Sequence, residues 1–290
     1  SRRPSAPAPP PPAAPCVQPR CREAYWVMCS DMRVLALGRR ERAAVRSLAR
    51  SLAAAEGDAE EPAGLFDDAG ALIRYLAASG WDLGAAEARI RASARWRKDF
   101  GFAAQRAGAF DEAIARESAA GSMYVRGYDR RGRPLLILRL GRRGATWSMR
   151  HLVYCVERAV ACLDRREAEA RARCSSYGEA EAESRAAGGR LTLLVDFGGY
   201  SSRSRPPLQL ILEAARVLQD HYPERLGSAY LLHPPVKVSA LWKAVRRTLA
   251  PETSEKIVMV TGPSCHEELL TTTLDRKTLE RSLGGENDAP

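Results

Sequence analysis

Few residues of this sequence have the types and spacing that catalysis needs. Asp196-Phe197-Gly198 spells the metal-binding triplet of kinases, but no HRD catalytic loop accompanies it, nor a Gly-rich loop with its paired strand lysine. Cys265 and His266 are adjacent in the chain. Neighbours on a helix point about 100° apart, which does not suit a nucleophile–base pair. No GxxxxGK[ST] and no GxSxG occurs, and no GxGxxG opens a helix. The four histidines, His151, His221, His233 and His266, lack metal-ligand spacing. Cys16, Cys21 and Cys29 lack CxxC spacing and a nearby histidine. The residues therefore support neither an enzyme nor a metal site.

Two charges stand out instead. Glu224 follows Tyr222-Pro223 at the end of an apolar helical stretch, and Lys256 opens an apolar strand. A charge beside a core run is costly to bury unless it is paired. One reading is a surface pair of Glu224 with Lys256 or Arg225. The other is a polar cluster at the edge of an apolar cavity, holding the anionic head of a ligand.

The elements that must position these charges lie between residues 190 and 260. Apolar runs at 191–195, 229–232 and 257–260 alternate with two segments of helical periodicity, the pattern of βαβ units. Such strands belong in a sheet covered on both faces. The first helix carries Leu208, Ile211, Leu212, Ala215, Leu218 and Tyr222 as one apolar stripe. The second, residues 236–249, carries Val238, Leu241, Trp242, Val245 and Leu249, backed by Lys243, Arg246 and Arg247. A stripe with a basic back suits a core helix with a solvated face, and equally an anionic membrane surface.

Upstream, residues 1–15 are Pro- and Ala-rich and cannot bury a core. Arg and Ser without an acid before Glu23 suit a plain disordered tail or an organelle import segment. Residues 31–55 hold a candidate helix. A helix at 66–76 ends at Gly80, and Asp82 caps the next, which runs to about Phe100. Trp96, among Arg95, Arg97 and Lys98, fits a core-edge packing position or a membrane or nucleic-acid contact. Segments 121–128 and 134–140 flank a turn with Asp129 and Gly132, which makes a hairpin. A helix follows at 149–163 and extends into a charged, exposed loop to residue 189. Short helices are expected near 267–272 and 276–283.

The chain has 290 residues and a net charge of +10, which suits anionic lipid or nucleic-acid partners, or reflects an Arg-rich composition alone. No apolar run reaches the ~20 residues that span a bilayer. Seven scattered cysteines do not form a disulfide framework and favour a reducing compartment. Cys155 sits among apolar helical residues and is expected in the core.

Several landmarks, in order, resemble the CRAL-TRIO lipid-binding family, in particular its phosphatidylinositol-transfer branch. They are Leu72-Ile73-Arg74-Tyr75-Leu76, Trp96-Arg97, the hairpin Gly127-Tyr128-Asp129-Arg130-Arg131-Gly132-Arg133-Pro134, the turn Val195-Asp196-Phe197-Gly198-Gly199-Tyr200-Ser201, the signature Tyr222-Pro223-Glu224-Arg225, Pro251 to Ile257, and Gly284-Gly285. The resemblance implies an α/β fold: a helical N-terminal subdomain, then a lobe whose mixed sheet floors an apolar lipid pocket under an amphipathic gate helix. It divides the chain into a tail with a possible helix (1–60), the helical subdomain (61–105) and the lipid-binding domain (106–290). Residues 236–249 match the gate. Glu224, Thr253 and Lys256 would serve an inositol-phosphate head, and Ser201 the phosphate of a choline lipid. The basic pair that the family usually carries after the first of these helices is here Ser79 and Gly80, and Arg203 replaces a second hydroxyl.

The implied function is soluble phospholipid binding and transfer, with no catalysis and no cofactor, the phospholipid being cargo. The implied partners are that lipid and, transiently, an anionic membrane surface, without nucleic acid. The implied location is the cytoplasm, peripherally on membranes. A protein-interaction scaffold, for instance for a small GTPase, and a carrier of retinoid- or tocopherol-like ligands are the alternatives.

Overall fold

The structure is a computed structural model, and it describes residues 34, 36–54, 68–173, 189–201, 206–236, 238, 242, 246–247, 249 and 251–288. The expected tail and most of the 165–189 insert lie outside the described residues.

Among the described residues the N-terminal part holds α1 (Arg39–Ala54), α2 (Ala69–Ala77) and α3 (Leu83–Phe100). Their ends follow capping chemistry. Asp68 accepts from the backbone N–H groups of Gly70 and Ala71 at the start of α2. Asp82 does the same for Ala85 at the start of α3, and Gly101 closes α3 in the left-handed region at φ 83°. Val45, Leu48, Leu52, Leu72, Leu76 and Ile90 share one core among these helices. Two helices not expected from the sequence follow, α4 (Phe102–Arg106) and α5 (Asp111–Ala119). Each buries one apolar side chain, Phe102 and Ile114, too little to register as a stripe.

The sheet has five strands in the order β1 (Met123–Tyr128), β2 (Pro134–Arg139), β3 (Leu191–Asp196), β4 (Leu226–Leu232) and β5 (Ile257–Val260). The β1–β2 hairpin is antiparallel, and the remaining pairs are parallel. The fold is therefore α/β with a mixed sheet, as expected. Asp129 holds the hairpin turn: Oδ1 accepts from the N–H groups of Arg131 and Arg133, and Oδ2 accepts from Thr192 Oγ1 at 2.7 Å. Between the strands lie α6 (Met149–Arg173) and α7 (Leu208–His221), then α8 (Pro251–Glu255) before β5 and α9 (Pro263–Thr272) after it.

Side chains alternate across the sheet with period two. Leu135, Ile137, Leu194, Leu232 and Val260 pack on Leu269 and Leu270 of α9 and on Leu274, Leu279 and Leu283. Leu136, Leu191 and Leu193 point the other way, toward α6 and α7. The helix expected at 276–283 is only a short 3₁₀ turn, Arg281–Leu283. Asp275 draws the chain into a turn instead, its Oδ1 accepting from Lys277 N and its carbonyl from Thr278 N. Glu280 then bridges to Asn287, which closes a loop incompatible with a helix.

Among the histidines and cysteines, Cys155 is buried as expected, and burial pushes its thiol up to about 12. Asp196 of the kinase-like triplet makes a local turn, accepting from Gly198 N at 2.8 Å, and faces Arg139 at 3.5 Å.

Candidate functional site

On the α6/α7 side the sheet packs on the helices over part of its face and leaves a hollow over the rest. A cavity of about 840 Å³ lies there. Its floor is the alternating set Leu136, Leu138, Leu193, Val195, Ala229 and Leu231. Leu152 and Val156 of α6 wall it on one side, and Leu210, Ile211, Ala214, Ala215 and Leu218 of α7 on another. Of the sequence-derived α7 stripe, Ile211, Ala215, Leu218 and Tyr222 line the hollow, while Leu208 is half exposed. The volume falls within the ~300–1,000 Å³ typical of small-molecule sites.

One end of this hollow is charged. Glu224, Thr253 and Lys256 all line it, as do Arg89, Asp220, Arg225 and Glu252. Lys256 Nζ lies 3.4 Å from Glu224 Oε2, and Arg190 Nη2 lies 3.0 Å from the same oxygen. The sequence foretold the pair but gave no sign of Arg190, which sits just before β3. Only the parallel register brings it alongside, through Leu191 N donating to Arg225 O.

The position of Glu224 is built from the turn that ends α7. Proline at 223 lacks an N–H and disfavours helical backbone at Tyr222, so α7 stops at His221. Glu224 then takes the left-handed region at φ 55°, and Arg225 N donates back to Tyr222 O. Helices α2 and α3 clamp this turn. Trp96 stacks on His221 with centroids 4.1 Å apart and planes 8° apart. Tyr75 Oη donates to His221 O, and Ser93 Oγ bonds with His221 Nδ1 at 2.9 Å. Tyr222 Oη donates to Glu157 Oε1 at 2.7 Å, and Glu157 also holds Arg97. Trp96 is thus a packing residue at the core edge, the first of its two sequence readings. A non-glycine residue at positive φ stores roughly 1–2 kcal/mol, and this surround holds it there.

Lys256 is fixed from the other side. Its carbonyl accepts from Ala229 N, which pins the backbone to β4 at the mouth of the hollow. Its N–H donates to Thr253 O, so the two side chains belong to one turn. The Thr253 hydroxyl makes no hydrogen bond among the described residues. Arg225 donates from Nη1 to Gly189 O at 2.8 Å, and burial holds its guanidinium down to about 10.

Ser201 is exposed and is not among the residues that line the cavity. Of the expected gate, Val238 is buried against Leu140 and Phe197, and Trp242 and Leu249 line the cavity. Arg246 and Arg247 are exposed. Leu241, Val245 and Lys243 lie outside the described residues, as does Arg203. Among the described residues, no helix is long and apolar enough to cross a membrane.

A mixed sheet that floors an apolar hollow with an ionic end, preceded by a helical N-terminal part, defines an α/β lobe built around an open interior. Residues 119–285 match the model of the CRAL/TRIO domain, and the chain belongs to that family. It is 31% identical over 189 residues to a CRAL-TRIO domain-containing protein of Schizosaccharomyces pombe, covering 64% of this chain and 16% of that protein. It is 26% identical over 197 residues to the phosphatidylinositol transfer protein PDR17 of Saccharomyces cerevisiae, covering 64% of this chain and 50% of that one. With the SEC14 cytosolic factor of Kluyveromyces lactis it shares 29% identity over 230 residues, 76% of this chain and 72% of the relative. The chain thus spans half or less of the first two relatives. The crystal structure of Sfh5 has the same fold, with a TM-score of 0.51 at 12% identity, covering 87% of this chain and 89% of that one.

Proposed function

We propose that this protein binds one phospholipid, phosphatidylinositol or a related lipid, in the hollow and exchanges it at membrane surfaces. The observation that carries the reading is the cavity: about 840 Å³, apolar along its length, with Glu224, Thr253 and Lys256 together at one end. Acyl chains in the apolar part are driven in by ~0.8 kcal/mol per buried CH₂. Release therefore sets the rate of transfer. The charged end suits a polar head, since the Thr253 hydroxyl and the remaining protons of Lys256 can turn to it. Two relatives are named for phosphatidylinositol transfer or as SEC14 cytosolic factor, which supports the same reading.

Residues 236–249 serve as the gate. Val238, Trp242 and Leu249 face inward, while Val236, 90% exposed, and the exposed Arg246 and Arg247 suit an anionic membrane surface. The location that follows is cytoplasmic and peripheral to membranes. No step of this function makes or breaks a covalent bond. An open interior favours cargo over a scaffold whose pocket is filled by its own side chains.

Mass spectrometry of lipids extracted from the purified protein tests the proposal, together with transfer of labelled lipid between vesicles. A stoichiometric phospholipid and protein-dependent transfer are expected. Lys256→Ala lowers phosphatidylinositol binding about tenfold and leaves phosphatidylcholine within about twofold, because a charged hydrogen bond contributes about 1.5–3 kcal/mol. An equal loss for every lipid refutes the headgroup assignment.

A further inference from the structure

Among the described residues, Lys256, Arg225 and Arg89 are cations that line the cavity itself, and they are not equivalent. Lys256 is compensated by Glu224 at 3.4 Å. Arg225 gives Nη1 to Gly189 O, and burial together with the nearby Arg74 disfavours its charge. Arg89, on α3, differs from both. Its Nη1 donates to Ala78 O at 2.7 Å and its Nη2 to Gln219 O at 3.1 Å. Neither acceptor carries charge, and among the described residues no carboxylate pairs with it. Two of the five guanidinium N–H groups are used, so three remain.

The wall around it leaves room. Ala77, Ala78 and Gly80 line the same end of the hollow, and a Cβ built on Gly80 would meet nothing within 4 Å. Small side chains next to a guanidinium that no carboxylate pairs with make a space that a bulky, negatively charged group can enter. The two carbonyls come from the ends of α2 and α7, and they orient the guanidinium plane before any ligand arrives. Such a preset fork suits a phosphate better than an ammonium would.

We propose that Arg89 is the residue that selects a net-anionic phospholipid headgroup over a zwitterionic choline one. A choline lipid carries the same phosphodiester, but its quaternary ammonium would stand against a guanidinium that no carboxylate among the described residues pairs with. An anionic head, whether of inositol or of glycerol, brings no such repulsion. The inference rests on the carrier reading above and adds the charge class of the cargo.

The test is competition. The full chain is incubated with vesicles containing equal phosphatidylinositol, phosphatidylglycerol and phosphatidylcholine, and the bound lipids are counted by native mass spectrometry. The wild type should favour both anionic lipids. Arg89→Gln should lower the anionic-to-choline ratio about tenfold, because the neutral amide no longer repels the choline ammonium. Arg89→Lys keeps the charge and should hold the ratio within about threefold. A ratio unchanged in Arg89→Gln overturns the proposal. So does an equal fall for all three lipids with no rescue by Arg89→Lys, which would leave Arg89 only tying α2 to α7. Should Arg89→Gln fail to fold, Arg89→Met and Arg89→Lys compared at matched thermal stability read the same ratio. A wild-type protein that takes up no lipid refutes the carrier reading and this inference with it. Lipid uptake with an unchanged ratio refutes this inference alone.

Discussion

Replacing Glu224 with glycine should separate stability from ligand selectivity. Glu224 sits at φ 55°, where glycine is at ease, so the substitution releases roughly 1–2 kcal/mol of backbone strain. Against this it removes two ion pairs, to Arg190 and Lys256, whose side chains are 39% and 21% exposed. Pairs that open to solvent contribute at most about 1 kcal/mol each. The added freedom of the unfolded chain costs a further ~0.4–1 kcal/mol. These effects nearly cancel, so unfolding free energy should move by about 1 kcal/mol or less. For a chain of this size that is a melting shift of about 2–4 °C. Headgroup recognition has no such compensation, because the carboxylate that orients Lys256 is gone. Phosphatidylinositol binding should fall about tenfold or more relative to phosphatidylcholine. Scanning calorimetry and vesicle competition give the two readouts. A melting loss above ~10 °C would make Glu224 a structural keystone, and unchanged selectivity would remove it from the headgroup site. Either result refutes the reasoning.

Ala215→Trp puts an indole into the α7 wall of the cavity, and should abolish uptake of every phospholipid while circular dichroism shows the fold intact. Gly141→Ala should destabilise by about 3 kcal/mol or more, read by denaturant titration, because its Cβ would stand 1.8 Å from the Gly198 carbonyl oxygen. Burial holds His151 and His221 below the usual histidine range. Below about pH 6.5 the unfolded chain takes up protons that these two folded imidazoles refuse. The melting temperature should therefore fall as pH drops from 7 to 5, and His151→Gln should flatten that slope. A melting temperature that rises over this range would contradict the burial of both rings.

Much of the fold was legible in the chain. Caps at Asp82 and Gly101 act through bonds within a few residues, so α3 could be bounded from local chemistry alone. The three apolar runs became parallel strands because side chains buried on both faces leave no polar alternation to hide them. The short helices α4 and α5 escaped notice, since one buried residue each makes no periodicity. At the site, Glu224 and Lys256 were marked by being charges beside apolar runs, and they do meet. Arg190 and Arg89 carried no such mark, since an arginine near a helix or strand end is ordinary on any surface.

What the sequence determined by itself was which side chains leave water: period two along the strands, helical spacing along α7, and a charge at each of positions 224 and 256. What only the tertiary structure decided was what those apolar faces meet. Leu193 and Ile137 look alike in sequence, yet one borders the hollow and the other a packed face. The physical reason is that hydrophobic patterning records exclusion from solvent, whereas a void depends on how far α6 and α7 stand from the sheet. That spacing is set by long-range anchors such as Trp96 on His221 and Tyr222 on Glu157, which no local spacing encodes.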